Sequence, residues 1–175
     1  MASQEQIQTL LDKQELTELV TRISRAVDRC DDDLLLSCYH PDAYDDHGVF
    51  KGSPADFLAH LKRGTMDPSH GPIQHALSNL LFEVDGDVAW GEIYVQSRVV
   101  TSQGEVQMGV ARYIDRYERR SGEWRIAHRR VILEAARQGF DTSAFVSGSR
   151  DRNDPSYERE IAITHPHPSE PAGVS

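Results

Sequence analysis

The first apolar pattern of the chain repeats every three or four residues through residues 16–27. Such spacing places apolar side chains on one face of an α-helix. The stripe consists of Leu16, Leu19, Val20, Ile23 and Val27. Ser3 and Gln6 have the spacing of a capping box, so the helix is predicted to begin there. Asp28 follows the stripe directly, where a carboxylate faces the negative end of the helix dipole at a cost of about 0.3–1 kcal/mol. An aspartate at this position suggests a partner or a function.

Two further helices are predicted before residue 65. Asp31–Asp33 can cap a short helix that carries Leu34–Leu36. Ser53 and Pro54 are a typical N-cap and first helical residue, so a third helix is predicted to begin there. The stretch HPDAYDDHGVF between these helices breaks the helical pattern and is predicted to lead into a short strand.

From Ile73 onward the pattern changes to strand-like runs of about 10–14 residues, and four such runs are predicted before Ala136. They are separated by DGD, SQGE and RRSGE, each a turn that contains glycine. Long strands joined by short turns predict an antiparallel meander that can bend around a helix. Residues 137–175 lose the pattern and are predicted to form an extended tail with a disordered end. The chain is therefore predicted to be one α+β domain over residues 1–136, followed by this tail.

Composition narrows the classes of function. The net charge is −9, and no run of Lys or Arg exceeds two residues. Both facts argue against binding to nucleic acid or to an anionic membrane, which require basic surface. No apolar stretch approaches the ~18 residues of a membrane span, and the N-terminus lacks the features of a signal peptide. A cytoplasmic protein is expected, with Cys30 and Cys38 as buried free thiols.

Four stretches of the sequence, in this order, resemble the SnoaL-like and scytalone dehydratase-like branch of the NTF2-like superfamily. They are VDRCD, YHPDAYDDHGVFKG, HALSNLLFEVDGDVAW and YERRSGEWRIAHR. The resemblance covers roughly residues 8–135 and implies a cone-shaped fold, in which a strongly curved antiparallel sheet wraps around three N-terminal helices. It also implies a homo-oligomer, with a trimer favoured. The superfamily contains dehydratases, a dehydrochlorinase, isomerases, polyketide cyclases and non-catalytic dioxygenase subunits, so the fold alone does not settle function.

Asp28 and His75 are the candidate catalytic pair. In the dehydratases of this branch, an aspartate at the end of the first helix orients a histidine on a long strand, and the resemblance places Asp28 and His75 at these positions. A histidine with a free pKa of ~6.5 can accept a proton at neutral pH. A carboxylate on its other nitrogen fixes the tautomer and stabilises the imidazolium. The alternative is that His75 is bonded to backbone and Asp28 is a solvated helix end.

His47 is the candidate hydrogen-bond donor to the substrate, because the bile-acid dehydratases that the chain resembles have a tyrosine near this place. Strand alternation puts His47 and Asp45 on one face and Tyr44 and Asp46 on the other. Only one pair can face a pocket, and His47 is favoured, although Tyr44 remains a candidate for substrate binding.

Arg129 is a candidate for stabilising an oxyanion or a leaving anion, because the dehydrochlorinase that the chain resembles has an arginine there in its pocket. The opposite face carries His128 and Arg130, which are the alternative inward pair, and Arg129 in a cross-strand ion pair is a further alternative. Ile23 stands where that dehydrochlorinase has a lysine, and this departure argues against halide elimination.

The remaining candidates are side chains of the predicted sheet. Trp90 is a candidate pocket wall, and Tyr94 is a candidate for donating its hydroxyl to a substrate oxygen. Further walls or polar contacts are Phe82, Met108, Tyr113, Ser97, Asn79 and Gln96, whose strand faces the sequence does not fix.

No cofactor is expected. The chain has no nucleotide-binding or serine-nucleophile motif, and a metal site built from Asp28, His47 and His75 is possible but disfavoured. The predicted function is a cofactor-independent lyase that acts on a small, apolar, oxygenated aromatic or polycyclic substrate. Its reaction would be dehydration or a related elimination, including the retro-aldol loss of formaldehyde. The alternatives are a non-catalytic ligand-binding or assembly protein, such as a dioxygenase small subunit, and an isomerase or polyketide cyclase that uses the same proton shuttle.

Overall fold

The computed structural model describes residues 1–137 and 144–158. Its three α-helices are α1 (Gln4–Asp28), α2 (Asp32–Ser37) and α3 (Pro54–Lys62). Each begins at the predicted cap. Ser3 and Gln6 form the reciprocal bonds of a capping box, Asp31 accepts from the backbone N–H of Leu34, and Ser53 caps α3. The three predicted helices are confirmed.

The sheet holds six strands in the described residues, in the order β2-β1-β6-β5-β4-β3. They are β1 (Tyr39–Asp46), β2 (Lys51–Gly52), β3 (Ile73–Asp85), β4 (Val88–Val100), β5 (Val106–Arg120) and β6 (Glu123–Arg137). The long strands β3 to β6 pair antiparallel with their neighbours along the chain, which confirms the predicted meander. β1 pairs parallel with β6, so the sheet is mixed rather than wholly antiparallel. The short strand β2 was not predicted.

The curved sheet packs its concave face against the helices, and the predicted α+β fold is confirmed. The apolar stripe of α1 is buried against this face, with Leu16 and Val20 fully enclosed. Tyr117 and Ile126 of the sheet are equally enclosed and belong to the same core. The period of the stripe therefore fixes which side of α1 faces the sheet.

The chain after β6 returns to the sheet, at least over residues 144–158. Val146 forms a parallel bridge with Ile132 of β6, and Asp154 caps a short 3₁₀ helix, Pro155–Tyr157. This part of the predicted tail is therefore packed against the domain. The predicted disordered end falls on residues 159–175 and lies outside the described residues.

Two further expectations can be compared with the structure. Both cysteines are free, as predicted, but only Cys38 is buried, whereas Cys30 is exposed. None of the helices in the described ranges is long and apolar enough to cross a membrane.

Candidate active site

A cavity of about 140 Å³ lies between helices α1 and α3 and the concave face of the sheet. Most of its wall is apolar: Ile23, Val27, Phe57, Leu61, Val95, Val99, Val131, Leu133 and Phe145 belong to it. The polar side chains on the wall are Ser24, His47, Thr65, His75, Ser97, Tyr113 and Arg129. An apolar cavity of similar size, about 150 Å³, accommodates one benzene molecule. The space therefore suits a small molecule of about one ring that carries a few polar groups.

His75 of this wall is hydrogen-bonded to Asp28, which lines an adjoining groove rather than the cavity itself. The end of α1 lies beside β3, and His75 Nδ1 is 2.6 Å from Asp28 Oδ1. The second oxygen of Asp28 accepts the backbone N–H of His75 at 3.1 Å. An ionised carboxylate only accepts, so Nδ1 carries the proton and Nε2 is left as the basic nitrogen. The two contacts together fix the imidazole ring and give Asp28, at the end of its helix, the partner that its position suggested.

His47, just beyond the end of β1, and Asp45 of that strand form a second pair of the same kind. The carboxylate of Asp45 bonds Nδ1 of His47 through one oxygen and accepts the hydroxyl of Tyr39 at 2.5 Å through the other. Asp45 is fully buried. Burial and the charge of Asp45 raise the pKa of Tyr39 well above its usual value, so this phenol stays a donor. The His47 ring stacks on Phe57 of α3 at 4.3 Å between ring centres.

Arg129 lies between these pairs on β6 and also faces the cavity. Its Nε and Nη2 bond the two oxygens of Asp115 at 2.8 and 2.6 Å, and its guanidinium lies 4.0 Å from the centre of the Tyr113 ring. Burial alone would lower the pKa of Arg129, but the carboxylate of Asp115 outweighs it and raises the pKa well above its usual value. The cross-strand ion pair considered for Arg129 is therefore present, and it lies inside the cone.

Tyr113 adds a neutral hydroxyl to the same wall. Burial raises the pKa of Tyr113 to about 12, so the phenol keeps its proton at neutral pH. Asp115, which holds Arg129, also accepts the hydroxyl of Tyr117 at 2.7 Å. Arg129 thus sits in a network whose other members are fixed.

Three predicted substrate contacts are corrected by the structure. Tyr44 is buried on the other face of β1, edge-on to His128 at 5.3 Å between ring centres. Tyr94 is 41% exposed, because Val95 and its alternate neighbours on β4 point into the cavity and strand alternation turns Tyr94 outward. Trp90 lies four residues before Tyr94 on β4, so its side chain is on the same outer face, and it lines an outer groove beside Tyr157.

Some cavity residues were missed by sequence reasoning. Ser24 lies one helical turn before Asp28, a spacing that could have indicated it. Phe145 lies in the predicted tail, where no pattern marks it. Gly48 has φ +68°, and a Cβ there would lie 2.6 Å from the Phe145 ring, so glycine at this turn gives the ring its space. Asp45 was placed on the His47 face, but its bond to His47 was not foreseen.

The metal site considered for Asp28, His47 and His75 is not assembled. In the ranges 1–137 and 144–158, no group of three His, Cys, Asp or Glu side chains is placed to hold a metal ion. In each of the two histidines, Nδ1 bonds its own carboxylate.

The helices, the curved open sheet and the cavity between them form an NTF2-like fold. The chain belongs to the SnoaL-like domain family, whose model matches residues 8–130. No curated protein matches the chain.

Several solved structures share the fold. A putative scytalone dehydratase from Novosphingobium aromaticivorans superposes with a TM-score of 0.73 at 14% identity, over 82% of this chain and 97% of that one. A type 2 hexachlorocyclohexane dehydrochlorinase (LinA) gives a TM-score of 0.67 at 20% identity, over 75% and 90% of the two chains. An NTF2-like protein from Salmonella enterica gives 0.66 at 21% identity, over 75% and 96%. At these identities the likeness shows the fold.

Proposed function

We propose that the protein is a lyase that removes a carbon-bound proton from a small, mostly apolar, oxygenated molecule of about one ring. The observation that carries this proposal is the 2.6 Å bond between His75 and Asp28 on the wall of an apolar cavity. Such a pair is the minimum machinery of a general base at neutral pH. Two proteins of similar fold are named as a dehydrochlorinase and a putative dehydratase, which agrees with elimination chemistry.

The base is Nε2 of His75. In the described part of the chain no residue bonds this nitrogen, whereas Nδ1 is held by Asp28. When Nε2 takes the proton, the positive charge that develops on the ring is stabilised by the carboxylate of Asp28. At 14% exposure of its side chain, Asp28 is largely shielded from water, which strengthens this interaction.

The negative charge that develops on the substrate oxygen is stabilised by Arg129 and Tyr113. Asp115 occupies Nε and Nη2 of Arg129, and in the described ranges Nη1 has no bonded partner. The neutral hydroxyl of Tyr113 is a second donor on the same wall. Fixed donors in a site that excludes water are typically the largest single contribution to catalysis.

Elimination of water is the outcome that these groups support best. In a retro-aldol loss of formaldehyde the same base would take the proton of a hydroxyl group while the carbon–carbon bond breaks, and the resulting enolate would take up a proton. Halide loss is disfavoured because Ile23, at the position where the resemblance to the dehydrochlorinase implies a lysine, adds no second cation to the cavity wall beside Arg129. An isomerisation would use the same base and return the proton to another carbon, and it is the second reaction that the site can perform.

The test is a screen of purified protein against one-ring hydroxy ketones and aromatic diols, with His75→Gln as the decisive variant. We expect a loss of about 10²–10⁴-fold in kcat/KM for His75→Gln. His60 lies on α3 outside the cavity wall, so His60→Gln is the matched control and should keep the wild-type rate. Wild-type turnover in His75→Gln would refute the base, and binding without any turnover would favour the non-catalytic alternative.

A further inference from the structure

The cavity contains two histidine–aspartate pairs of the same design, and only one of them is used as the base. In both pairs Nδ1 of the imidazole bonds a carboxylate. In both, the second carboxylate oxygen is occupied, by the backbone N–H of His75 for Asp28 and by the Tyr39 hydroxyl for Asp45. No described residue bonds Nε2 of either ring. The pair Asp45–His47 is therefore built as a second proton-transfer group.

The two pairs lie near opposite ends of the strand order, on the same face of the sheet. β3, which carries His75, is one edge strand, and β1, which precedes His47, is separated from it by β6, β5 and β4. Because the sheet curls around the cavity, both histidines reach the same space. Arg129 lines the same cavity from β6, which lies between β1 and β3 in the strand order. A molecule bound above Arg129 can thus meet one imidazole on each side.

The contacts of the wall assign one partner to each charged group. Three carboxylates are bonded to side chains of the wall, namely Asp28, Asp45 and Asp115. In the described residues, Arg129 is the one guanidinium or ammonium group among the residues that line the cavity, and it is bonded to Asp115. The fully buried Asp45 is bonded to His47 and to the Tyr39 hydroxyl. His47 is therefore the cavity group that Asp45 positions for proton transfer.

We propose that His47, held by Asp45, is the general acid that protonates the leaving group. The inference rests on the proposed lyase function, in which His75 is the base. His75 Nε2 removes the proton on carbon, and the electron pair forms the new double bond. The bond from the neighbouring carbon to its hydroxyl oxygen breaks, and His47 Nε2–H supplies the proton that makes the departing group water. His75 ends protonated and His47 neutral, and one proton exchanged with solvent restores each.

The role of His47 can be measured by changing only the leaving group. The probes are the aldol adduct of benzaldehyde and acetone, which must lose hydroxide or water, and its acetate ester, which loses acetate without needing a proton. Both give benzalacetone, whose near-ultraviolet absorbance reports the rate. For His47→Gln we expect elimination of the alcohol to fall by about 10²-fold or more and elimination of the acetate to fall less than about tenfold. His60→Gln serves as the control for both probes.

Each kinetic outcome separates the inference from the proposed function. Equal slowing of both probes in His47→Gln would overturn the acid role, because a group that only positions the substrate or stabilises an oxyanion acts on both. Equal slowing of both probes is instead expected for His75→Gln. If His75→Gln has no effect, or the wild type eliminates neither probe, the lyase proposal fails.

A second measurement needs no substrate. In protein labelled with the heavy nitrogen isotope in histidine, the Nδ1 of His47 should carry a proton with a strongly downfield shift, as expected for a bond to the buried carboxylate of Asp45. The assignment is made by the loss of this signal in His47→Gln. An unprotonated Nδ1 would show that the second pair does not exist and would overturn the inference.

Discussion

Two buried arginines, Arg129 on the inner face of the sheet and Arg112 on its outer face, have different environments. Arg112 bonds Glu134 through Nε at 2.6 Å and Glu92 through Nη1 at 3.0 Å. It also bonds Asp154 through Nη1 and Nη2 at 2.9 and 2.8 Å. All three of its nitrogens are occupied by carboxylates. Arg129 bonds one carboxylate and keeps Nη1 free of partners in the described residues.

This difference separates a structural arginine from one that we propose to be available to a ligand. The hydrogen bonds of Arg112 hold the pKa of Asp154 well below its usual range, so the pair stays charged. Asp154 in turn accepts the backbone N–H of Ser149 at 2.8 Å, which fixes residues 144–158 on the outer face. The outer arginine therefore anchors the returning chain, whereas the inner arginine lines the cavity, and we propose that its Nη1 serves as a donor there.

The largest expected effect is on stability, from Arg112→Leu. It leaves Glu92, Glu134 and Asp154 without their cation, and breaking a buried ion pair in this way costs about 3–5 kcal/mol. Urea denaturation should show this loss. Arg116 pairs with Glu118 at a more exposed site, so Arg116→Leu is the control and should cost less than about 1 kcal/mol. Equal losses in the two variants would contradict an anchoring role for Arg112.

The next effect is on catalysis, from Arg129→Lys. Lysine keeps the positive charge but loses the two-pronged bond to Asp115 and the free Nη1. Removal of one oxyanion donor typically lowers kcat by about 10²–10³-fold, and we expect a loss in this range for the folded variant. The measurement is kcat with the substrate found by the screen. An unchanged kcat would place Arg129 with Arg112 among the structural arginines.

A smaller effect, on the pH dependence of stability, is expected from His128, which strand alternation turns away from the cavity. Burial and the neighbouring Arg130 lower the pKa of His128 to about 4, against ~6.5 in an unfolded chain. The unfolded state then binds the proton first, so His128 contributes to acid destabilisation as pH falls from about 6.5 to 4.

The check is urea denaturation of the wild type and His128→Gln at pH 7 and pH 5. Over this interval the wild type should lose about 2 kcal/mol more than the variant. Carboxylates that titrate in the same range affect both proteins and cancel in the difference. Parallel losses in the two proteins would show that His128 is not held neutral.

The smallest expected effect is the change in stability when the Ser24 hydroxyl of α1 is removed, compared with removal of the Thr21 hydroxyl on the same helix. Thr21 bonds the carbonyl of Thr17 at 2.8 Å, whereas Ser24 Oγ is buried at the cavity without a partner in the described ranges. Ser24→Ala should therefore leave the free energy of unfolding unchanged or raise it by up to about 1 kcal/mol. Thermal denaturation measures this change in the free energy of unfolding, with Thr21→Ala as the matched variant. A clear loss of stability in Ser24→Ala would show that the Ser24 hydroxyl is bonded.

The fold could be predicted because its elements carry strong local patterns. The stripe on α1 and the four long strands have clear periods, and the caps Ser3, Asp31 and Ser53 mark where helices begin. The parallel pairing of β1 with β6 leaves no such pattern, because pairing between distant segments is decided by the tertiary packing. The strand β2 has only two residues and is too short to show a period.

The candidate site could be predicted only in part. Asp28 and His75 followed from a family resemblance, and alternation in β1 placed His47 with Asp45. Tyr94 was predicted in the cavity although its side chain points outward, because a half-buried strand of mixed composition does not reveal which face is covered. Phe145 lies in a part of the sequence that has no periodic pattern, so its position on the cavity wall could not be predicted.

The central claim is that Asp28 and His75 act as one catalytic unit. A double-mutant cycle with Asp28→Asn, His75→Gln and the double variant tests it through kcat/KM for the substrate found by the screen. Each single variant should lose about 10²–10⁴-fold, and the double variant should be no slower than His75→Gln alone, since members of a unit are not additive. Losses that multiply in the double variant, or a His75→Gln enzyme with the wild-type rate, would contradict the claim.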